Sequence, residues 1–547
     1  MAPSLNNILP PGSRGSTSFR LELLGVIAGI GVLSYLGLLV YRLLFHPLSK
    51  YPGPKLHALS SAPWVYKACL TGSMARESGD LHKQYGPIVR IAPNTLAVDG
   101  SIAFPQVFQY RPGKPEWPKQ RGFYHAHDEH SLIGGTQDNH RRLRRQLAHA
   151  FSDSSMYEQE PVVKKYVDML CSRLGERAAT GETFDIVRWL NFTTFDVIGD
   201  LMFADSFHSL EGGDYHPWVL SIFEGVRGGA RLRALLEYPF LGPFIRNFGE
   251  SAKLIAKDQE NRSLATAKAM ARKVQGEMPG GRRDFMTYML KKNRNGTAGY
   301  TDEDILMNSP LLVMAGSETT ATSLSGLFYH LGLDQNRHIY HMLVEEILGA
   351  FSSEDEIDMK STASLPYLRA VIEENLRMFP PAAETPPRVS PGADLNGEFI
   401  PKGVSCSVPL VDSGCSRADR FPQTIISVFQ NSSFRNPANF ADPDSFRPER
   451  WLPASHPLYN PMFSNDNHDS FRPFSFGTRD CIGKNLAYSE LRVVISRLLY
   501  RFDYTLEPGQ ENWLDNSRVF IVWEKPGVRV TLRERKPRTR VQAETKV

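Results

Sequence analysis

The clearest break in the alternation of apolar and polar residues comes near the start of the chain. Leu23 to Tyr41 reads LLGVIAGIGVLSYLGLLVY, 19 residues without a charge. As a helix this run is about 28 Å long, close to the ~30 Å hydrocarbon thickness of a bilayer. A cleaved signal peptide would have an apolar centre of only ~7–15 residues followed by small residues. Here the run continues into Tyr41, Arg42, Leu43 and Leu44. The pattern predicts a retained transmembrane anchor over 23–41, preceded by an N-terminal segment, 1–22. Arg14 and Arg20 precede the span and Arg42, Lys50 and Lys55 follow it, a balance that slightly favours a cytoplasmic body.

The next stretch, His46-Pro47-Leu48-Ser49-Lys50-Tyr51-Pro52-Gly53-Pro54, has three prolines in eight residues. Such a segment cannot continue a helix and predicts a stiff, extended connector over 42–60. Beyond it, helical spacing of apolar residues predicts helices over Tyr157–Leu174, Thr301–Leu331, Tyr340–Phe351, Pro366–Met378 and Ile482–Tyr500. Short β-prone runs occur at Ile88–Ile91, Thr95–Val98 and Phe520–Trp523. With no internal repeat and no second linker, the body reads as one mostly helical α+β domain over 61–530. A basic tail, 531–547, ends the chain; Arg533–Arg540 holds five basic residues and one Glu and reads as a solvated end.

Composition narrows this picture. The 547 residues are 41% hydrophobic and 22% charged, which excludes collagen-like and largely disordered chains. A net charge of +4 gives no domain-wide basic excess, so nucleic acid is not an expected partner. The five cysteines, Cys69, Cys171, Cys406, Cys415 and Cys481, are scattered and contain no C-x-x-C pair. That excludes a disulfide framework and a structural zinc site, and fits a body in a reducing compartment.

One cysteine stands in an informative setting, Phe474-Ser475-Phe476-Gly477-Thr478-Arg479-Asp480-Cys481-Ile482-Gly483. This is a glycine-punctuated loop that delivers Cys481 to the start of an amphipathic helix. Backbone N–H groups and the helix dipole there favour a thiolate, the form that ligates a metal. Gly477 and Gly483 permit close backbone approach, Phe474 can shield the sulfur, and Arg479 offers a cation to a carboxylate.

The pattern F-x-x-G-x-R-x-C-x-G resembles the haem-binding loop of the cytochrome P450 monooxygenases. Five specified residues at ~5% usage would recur by chance in about one chain of this length in several thousand. The resemblance implies that Cys481 is the axial ligand of the iron of haem b, and that Phe474, Gly477, Arg479 and Gly483 contact the cofactor. Glu374-Asn375-Leu376-Arg377 matches the family's E-x-x-R, and Pro448-Glu449-Arg450-Trp451 resembles its P-E-R-F/W. An isolated E-x-x-R is most often a surface ion pair; in this order the resemblance implies a supporting network of Glu374, Arg377 and Arg450.

Ala315-Gly316-Ser317-Glu318-Thr319-Thr320 resembles the family's A/G-G-x-D/E-T-T on the central helix. By that likeness Ala315 and Gly316 leave room beside the iron, and Glu318 and Thr319 are the catalytic pair that moves protons. Thr301-x-x-Asp304 reads as a capping box with Asp in place of Glu. Pro310 predicts a kink one to two turns before the site. His140-Arg141-Arg142-Leu143-Arg144 aligns with W-x-x-x-R, with His140 at the tryptophan position. Arg144 and Arg388 are then the expected partners of the haem propionates. Arg141, Arg142 and Arg145 form either a solvated face or part of a surface for a reductase. His125-x-His127-x-x-His130 reads as solvent or channel wall, not a metal site. Residues 111–135, 312–313, 382–385 and 515–518 are expected to shape a substrate pocket.

The resemblance also implies partners and a place: electrons from NADPH through cytochrome P450 reductase, with cytochrome b5 as a further donor; an apolar small-molecule substrate; and a single pass through the endoplasmic reticulum membrane with the catalytic domain in the cytoplasm. His46-Pro47-Leu48 followed by Tyr51-Pro52-Gly53-Pro54 is similar to microsomal members of filamentous fungi, many of which modify polyketides, terpenoids or alkaloids. Two other readings stay open: a haem-thiolate isomerase or dehydratase that needs no reductase, and a non-catalytic haem-binding membrane protein. One departure stands out. From Gly403 to Glu449 there are 46 positions, about twenty more than the family uses. The surplus, within 404–427, is either a tolerated loop or a translated non-coding segment splitting a strand.

Overall fold

The computed structural model describes residues 13–120, 129–238, 249–292, 296, 299–402 and 423–536. The first helix, α1 (Ser13–Val40), starts ten residues ahead of the apolar run. An apolar stretch of 25 residues, Leu21–Phe45, has mean hydropathy 2.4 and none of it is buried. Leu24, Ile27, Ile30 and Leu33 are each more than half exposed, which is stable in lipid and costly in water.

The connector differs from its expected extended form. The helix ends in a wider turn at Tyr41–Phe45, and a short helix follows at Lys55–Leu59. Between them the chain packs onto the body: Leu48 is fully buried and Tyr51 nearly so. The Arg90 N–H donates to Pro52 O at 2.8 Å, and His46 Nε2 lies 3.0 Å from Asn94 Oδ1. A Cβ on Gly53 would sit 2.3 Å from Arg90 O, so only glycine allows this approach. Docking, more than proline stiffness, holds the body at its angle to the anchor.

The body is built from long helices: α2 (Met74–Tyr85), α3 (Gln137–Leu147), α4 (Asp153–Thr180), α5 (Ile186–Phe203), α6 (Pro217–Glu237), α7 (Gly249–Gln275), α8 (Asp302–Gly332), α9 (Arg337–Ala350), α10 (Pro366–Met378) and α11 (Lys484–Arg501). The helix expected at Tyr157–Leu174 is longer at both ends and contains Pro161. Pro366–Met378 has its expected bounds. In α5, Arg188 is the one residue of 18 that is not buried. A helix without a polar face has no amphipathic stripe, which is why periodicity missed it. α5 packs along α8, the central helix.

Four strands form the largest sheet, in the order β1 (Ile88–Ala92), β2 (Thr95–Val98), β7 (Ile425–Ser427), β4 (Arg388–Val389). β2 and β7 run parallel, with Leu96 opposite Ile426. β7 lies at the end of the suspected insertion, so the chain is back in the sheet by Ile425; residues 403–422, with Cys406 and Cys415, lie outside the described residues. A second sheet joins β3 (Phe184–Asp185), β11 (Arg529–Glu534) and β8 (Phe502–Leu506). β11 runs four residues into the segment read as a basic tail, and Arg535 Nη2 donates to Tyr340 Oη at 2.6 Å. Of the expected strand at Phe520–Trp523, residues 520–522 form the hairpin turn between β9 (Arg518–Val519) and β10 (Trp523–Glu524), which Trp523 begins. β5 (Ala393–Leu395) and β6 (Glu398–Ile400) make a further hairpin.

Candidate active site

Helix α8 carries the upper part of the site. Its start is fixed by the expected capping box: the Thr301 hydroxyl accepts from Asp304 N, and the Asp304 carboxylate accepts from Thr301 N. The helix runs unbroken through Pro310. Side chains of the preceding turn bond back to the backbone, Asn308 Nδ2 to Asp304 O and Ser309 Oγ to Ile305 O, both at 2.7 Å. Asp304 is buried and takes both guanidinium nitrogens of Arg142, at 2.8 and 2.9 Å. His130 Nδ1 lies 2.8 Å from Asp304 Oδ1, the oxygen that also accepts from Arg142 Nη2. Arg142 is therefore a tie between α3 and α8, not part of a docking face, and His130 belongs to this cluster; His125 and His127 lie outside the described residues.

Between Ile305 and Gly332, Ala315 is the one exposed residue, although the helix is buried over most of that length. Thr319, one turn on, is half-buried and faces the same way. Open space therefore lies against this patch. Gly316 has a different role from the one expected: its Cβ would meet Ile198 Cδ1 at 2.7 Å. It is small so that α5 and α8 can touch, and Ala315 alone leaves room at the site.

Glu318 and Thr319 are adjacent but point apart. The Thr319 hydroxyl donates to Ala315 O at 2.7 Å on the open side. The Glu318 carboxylate is buried; its Oε1 accepts from Lys525 Nζ at 2.5 Å and from Thr322 Oγ1 at 3.2 Å. Its Oε2 is buried with no hydrogen-bond partner among the described residues. Lys525 lies in the loop between β10 and β11, in no recognisable motif, and nothing in the sequence signalled this pair.

The Cys481 loop forms as expected but for reasons partly its own. Ser475 and Gly477 have positive φ (64° and 81°), and a tight turn follows at Gly477–Arg479. A Cβ on Gly477 would lie 2.1 Å from Phe108 O, so its close approach is to a neighbouring chain segment. Cys481 N donates to Phe474 O at 2.9 Å, closing the loop. The Phe474 ring packs 4.9 Å from Tyr488, whose hydroxyl bonds Glu373. Helix α11 begins at Lys484, with Gly483 as its cap, and a Cβ on Gly483 would sit at ordinary contact distance from the sulfur, 4.0 Å.

Cys481 is solvent-accessible, yet it is ringed closely enough that burial is the largest influence on its thiol and pushes it up. The Gly483 N–H, Arg144 and Lys484 pull the other way without winning. The expected thiolate preference thus needs a bound cation, which deprotonates a coordinating thiol outright.

The supporting network is complete. Arg377 bonds both oxygens of Glu374 at 2.8 Å, and Arg450 Nε lies 3.1 Å from Glu374 Oε2. Trp451 Nε1 adds a bond at 2.9 Å. All three charged side chains are fully buried. Burial opposes the Glu374 charge, but Arg377, Arg450 and the Arg447 N–H outweigh it and hold the carboxyl below its usual range.

The remaining cations gather near the loop. Arg144 donates to Asp480 O and Oδ1 at 2.6 and 2.5 Å, and Arg479 Nε to Glu116 at 2.9 Å. Arg388 Nη1 reaches Trp117 O at 3.2 Å, with its guanidinium over the Phe108 ring. His140 Nδ1 is 2.7 Å from Leu132 O and Nε2 3.3 Å from Thr478 O; burial pushes the imidazole toward its neutral form, whose single N–H donates to one of these two carbonyls. Of the expected pocket positions, Val313 is fully buried in the core and Asp515 lies at the surface.

A free cysteine on a closed loop with arginines beside it, and a helix open at one alanine, fit a haem-thiolate site in their donor chemistry: a soft thiolate for iron and cations for carboxylates. The cytochrome P450 family model matches residues 52–415 and 422–532, and the chain belongs to that family. It is 40% identical to the cytochrome P450 monooxygenase astJ of Aspergillus oryzae over 89% of this chain and 92% of that protein. It is 34% identical to the trichothecene C-15 hydroxylase of Fusarium sporotrichioides, over 93% of this chain and 98% of that one. The averantin hydroxylase of Dothistroma septosporum is also 34% identical, over 93% and 91%. The protein is a cytochrome P450 monooxygenase of the kind found in fungal secondary metabolism. The match lapses at 416–421, inside the suspected insertion.

Proposed function

We propose that this monooxygenase inserts one oxygen atom from O2 into an apolar small molecule, a secondary metabolite of polyketide, terpenoid or alkaloid type. The observation that carries the reading is Cys481 presented on its closed loop below helix α11, with the open Ala315–Thr319 patch on α8. Haem b bound through Cys481 would activate dioxygen with electrons from NADPH, delivered by cytochrome P450 reductase. Phe474 and Gly483 flank the sulfur, and Arg144 and Arg388 supply positive charge for the propionates. Glu374, Arg377 and Arg450 keep the segment before the loop in place and do not react.

The chain's own chemistry is proton handling. Thr319 Oγ1 faces the open side and donates to Ala315 O, which leaves its lone pairs to accept from a water or ligand. Glu318 Oε2, unpartnered and buried, is the carboxylate atom available to take up and pass on a proton through water. The intact pair favours oxygen insertion over a reductase-independent rearrangement.

A groove of about 250 Å³ is lined by Arg369, Glu373, Lys484, Tyr488 and Arg492, with Lys484 at the start of the helix that follows the Cys481 loop. Its three cations suit an acidic flavoprotein donor, as do the exposed Arg141 and Arg145 of α3. The exposed apolar helix supports a single pass through the endoplasmic reticulum membrane with a cytoplasmic domain. The test is NADPH consumption by the full chain with reductase and candidate metabolites, followed by mass spectrometry. A product heavier by one oxygen supports the reading; conversion without reductase or NADPH overturns it in favour of an isomerase.

A further inference from the structure

We propose that Asn191 and Tyr215 form the route by which Glu318 takes up protons from solvent. The role rests on Glu318 as the relay acid, read above, and names the side chains that supply it. Two contacts bracket the region. Helix α5 starts beside the loop that carries Lys525: Ile186 N donates to Val528 O at 2.9 Å, and Asp185 Oδ1, which caps the helix, accepts from Val528 N at 3.0 Å. About three turns on, Ile198 meets α8 at Gly316. Asn191 lies between those contacts on α5, two turns before Ile198 and so on the same face. Glu318 lies between the same two contacts on α8, bonded to Lys525 and next but one to Gly316.

Each of the two side chains carries an orphan. Glu318 Oε2 and Asn191 Oδ1 are buried acceptors with no hydrogen-bond partner among the described residues. Buried polar groups seldom stay unpaired, and two acceptors in one region are matched by a water, which brings two hydrogens. The other end of Asn191 leads outward: its Nδ2 donates to Tyr215 Oη at 3.0 Å. The Tyr215 ring packs against Phe192 and Phe223, with centroids 4.8 and 5.6 Å away, and the Arg188 guanidinium lies 5.8 Å from it. Arg188 in turn pairs with Asp214 at the surface, 3.2 Å away. The tyrosine therefore spans from an exposed ion pair to a buried amide.

The chemistry of the hydroxyl suits the task. It accepts from Asn191 and keeps its own O–H to donate. Burial pushes the phenol up to about 12; the Asn191 bond opposes this and the Glu318 charge adds to it. Tyr215 thus stays neutral and passes a proton by accepting one as it releases another. The second carboxylate oxygen offers no such path, because Oε1 is held by Thr322 and by the almost wholly buried Lys525. When Glu318 gives up a proton on the Thr319 side, one from bulk water replaces it through Tyr215 Oη and a water at Oε2. No electron moves and no bond between heavy atoms changes in this step.

The full-length protein with reductase is compared with its Tyr215→Phe, Asn191→Leu and double variants by NADPH-driven oxygen consumption in H2O and D2O, with no metabolite added. Tyr215→Phe keeps the ring and deletes only the hydroxyl. Either single variant should consume oxygen about tenfold to a hundredfold more slowly, with a larger ratio of the rates in H2O and D2O. The double variant should be no slower than the slower single one, as two residues on one path require. Melting temperature and the carbon-monoxide difference spectrum of Tyr215→Phe should match wild type. Crystals of the detergent-solubilised full-length protein should hold a water within hydrogen-bond distance of Glu318 Oε2 and Asn191 Oδ1. A wild-type rate and isotope effect in Tyr215→Phe overturn the inference, as do additive losses in the double variant or a side chain in place of that water. Glu318→Gln separates the two readings: an unimpaired rate there overturns the relay itself, whereas a loss there beside a wild-type Tyr215→Phe removes only the route.

Discussion

Lys525 Nζ lies 2.5 Å from Glu318 Oε1, and both side chains are almost wholly buried. The bond joins the loop before the last strand to the middle of the central helix, 207 residues away in sequence. It occupies one carboxylate oxygen and leaves the other as the single site for proton exchange. Lys525 therefore positions the acid on which the proposed chemistry depends.

Breaking such a pair leaves an uncompensated charge in the interior. Lys525→Met should destabilise the fold by about 3–5 kcal/mol. The double variant Lys525→Met/Glu318→Gln should recover much of that loss, because both charges are then gone. Denaturant unfolding of the single and double variants checks this; equal destabilisation of both contradicts a coupled pair.

Thr319→Ala removes the hydroxyl on the open side of α8 while leaving the Lys525 pair untouched. NADPH should still be consumed, with hydrogen peroxide replacing most of the product. Comparing NADPH spent with product formed decides the matter, and full coupling would remove Thr319 from the relay.

Glu374 has a carboxyl held below its usual range by Arg377 and Arg450. A group with a depressed folded pKa stabilises above its unfolded value, ~4.3, and that contribution is lost as pH falls through the lower folded value. Wild type should therefore lose thermal stability below about pH 4.3, with a smaller acid-dependent loss in Glu374→Gln. That variant should already be unstable at neutral pH, because Arg377 and Arg450 lose their partner.

Glu490 on α11 behaves in the opposite sense. Burial pushes its carboxyl up to about 8, against a bond to Thr320 of α8. Its folded state holds a proton that the unfolded chain releases near pH 4.3, so its contribution falls as pH rises from there to about 8. Glu490→Gln should gain melting temperature relative to wild type across that interval. A constant difference would show that Glu490 does not titrate there.

Much of this was legible in the sequence where one side of an element meets water or a motif has a rigid spacing. Pro366–Met378 and Thr95–Val98 carry such periodicity and have the predicted bounds. The Cys481 loop and the Glu374–Arg377–Arg450 network carry such spacing. What could not be read depends on partners far apart in the chain. Gly316 looked like room for a ligand and is a contact with Ile198. Lys525 sits in no motif, and only the fold brings it to Glu318. Arg142 reads as a surface charge until Asp304 is placed beneath it.

The central claim is that Cys481 holds a haem iron as its thiolate. The most direct measurement is the carbon-monoxide difference spectrum of the reduced full-length protein and of Cys481→Ala. The wild type should show the thiolate-type band, and Cys481→Ala should lose it. An unchanged spectrum in the variant, or no such band in the wild type, would contradict the account.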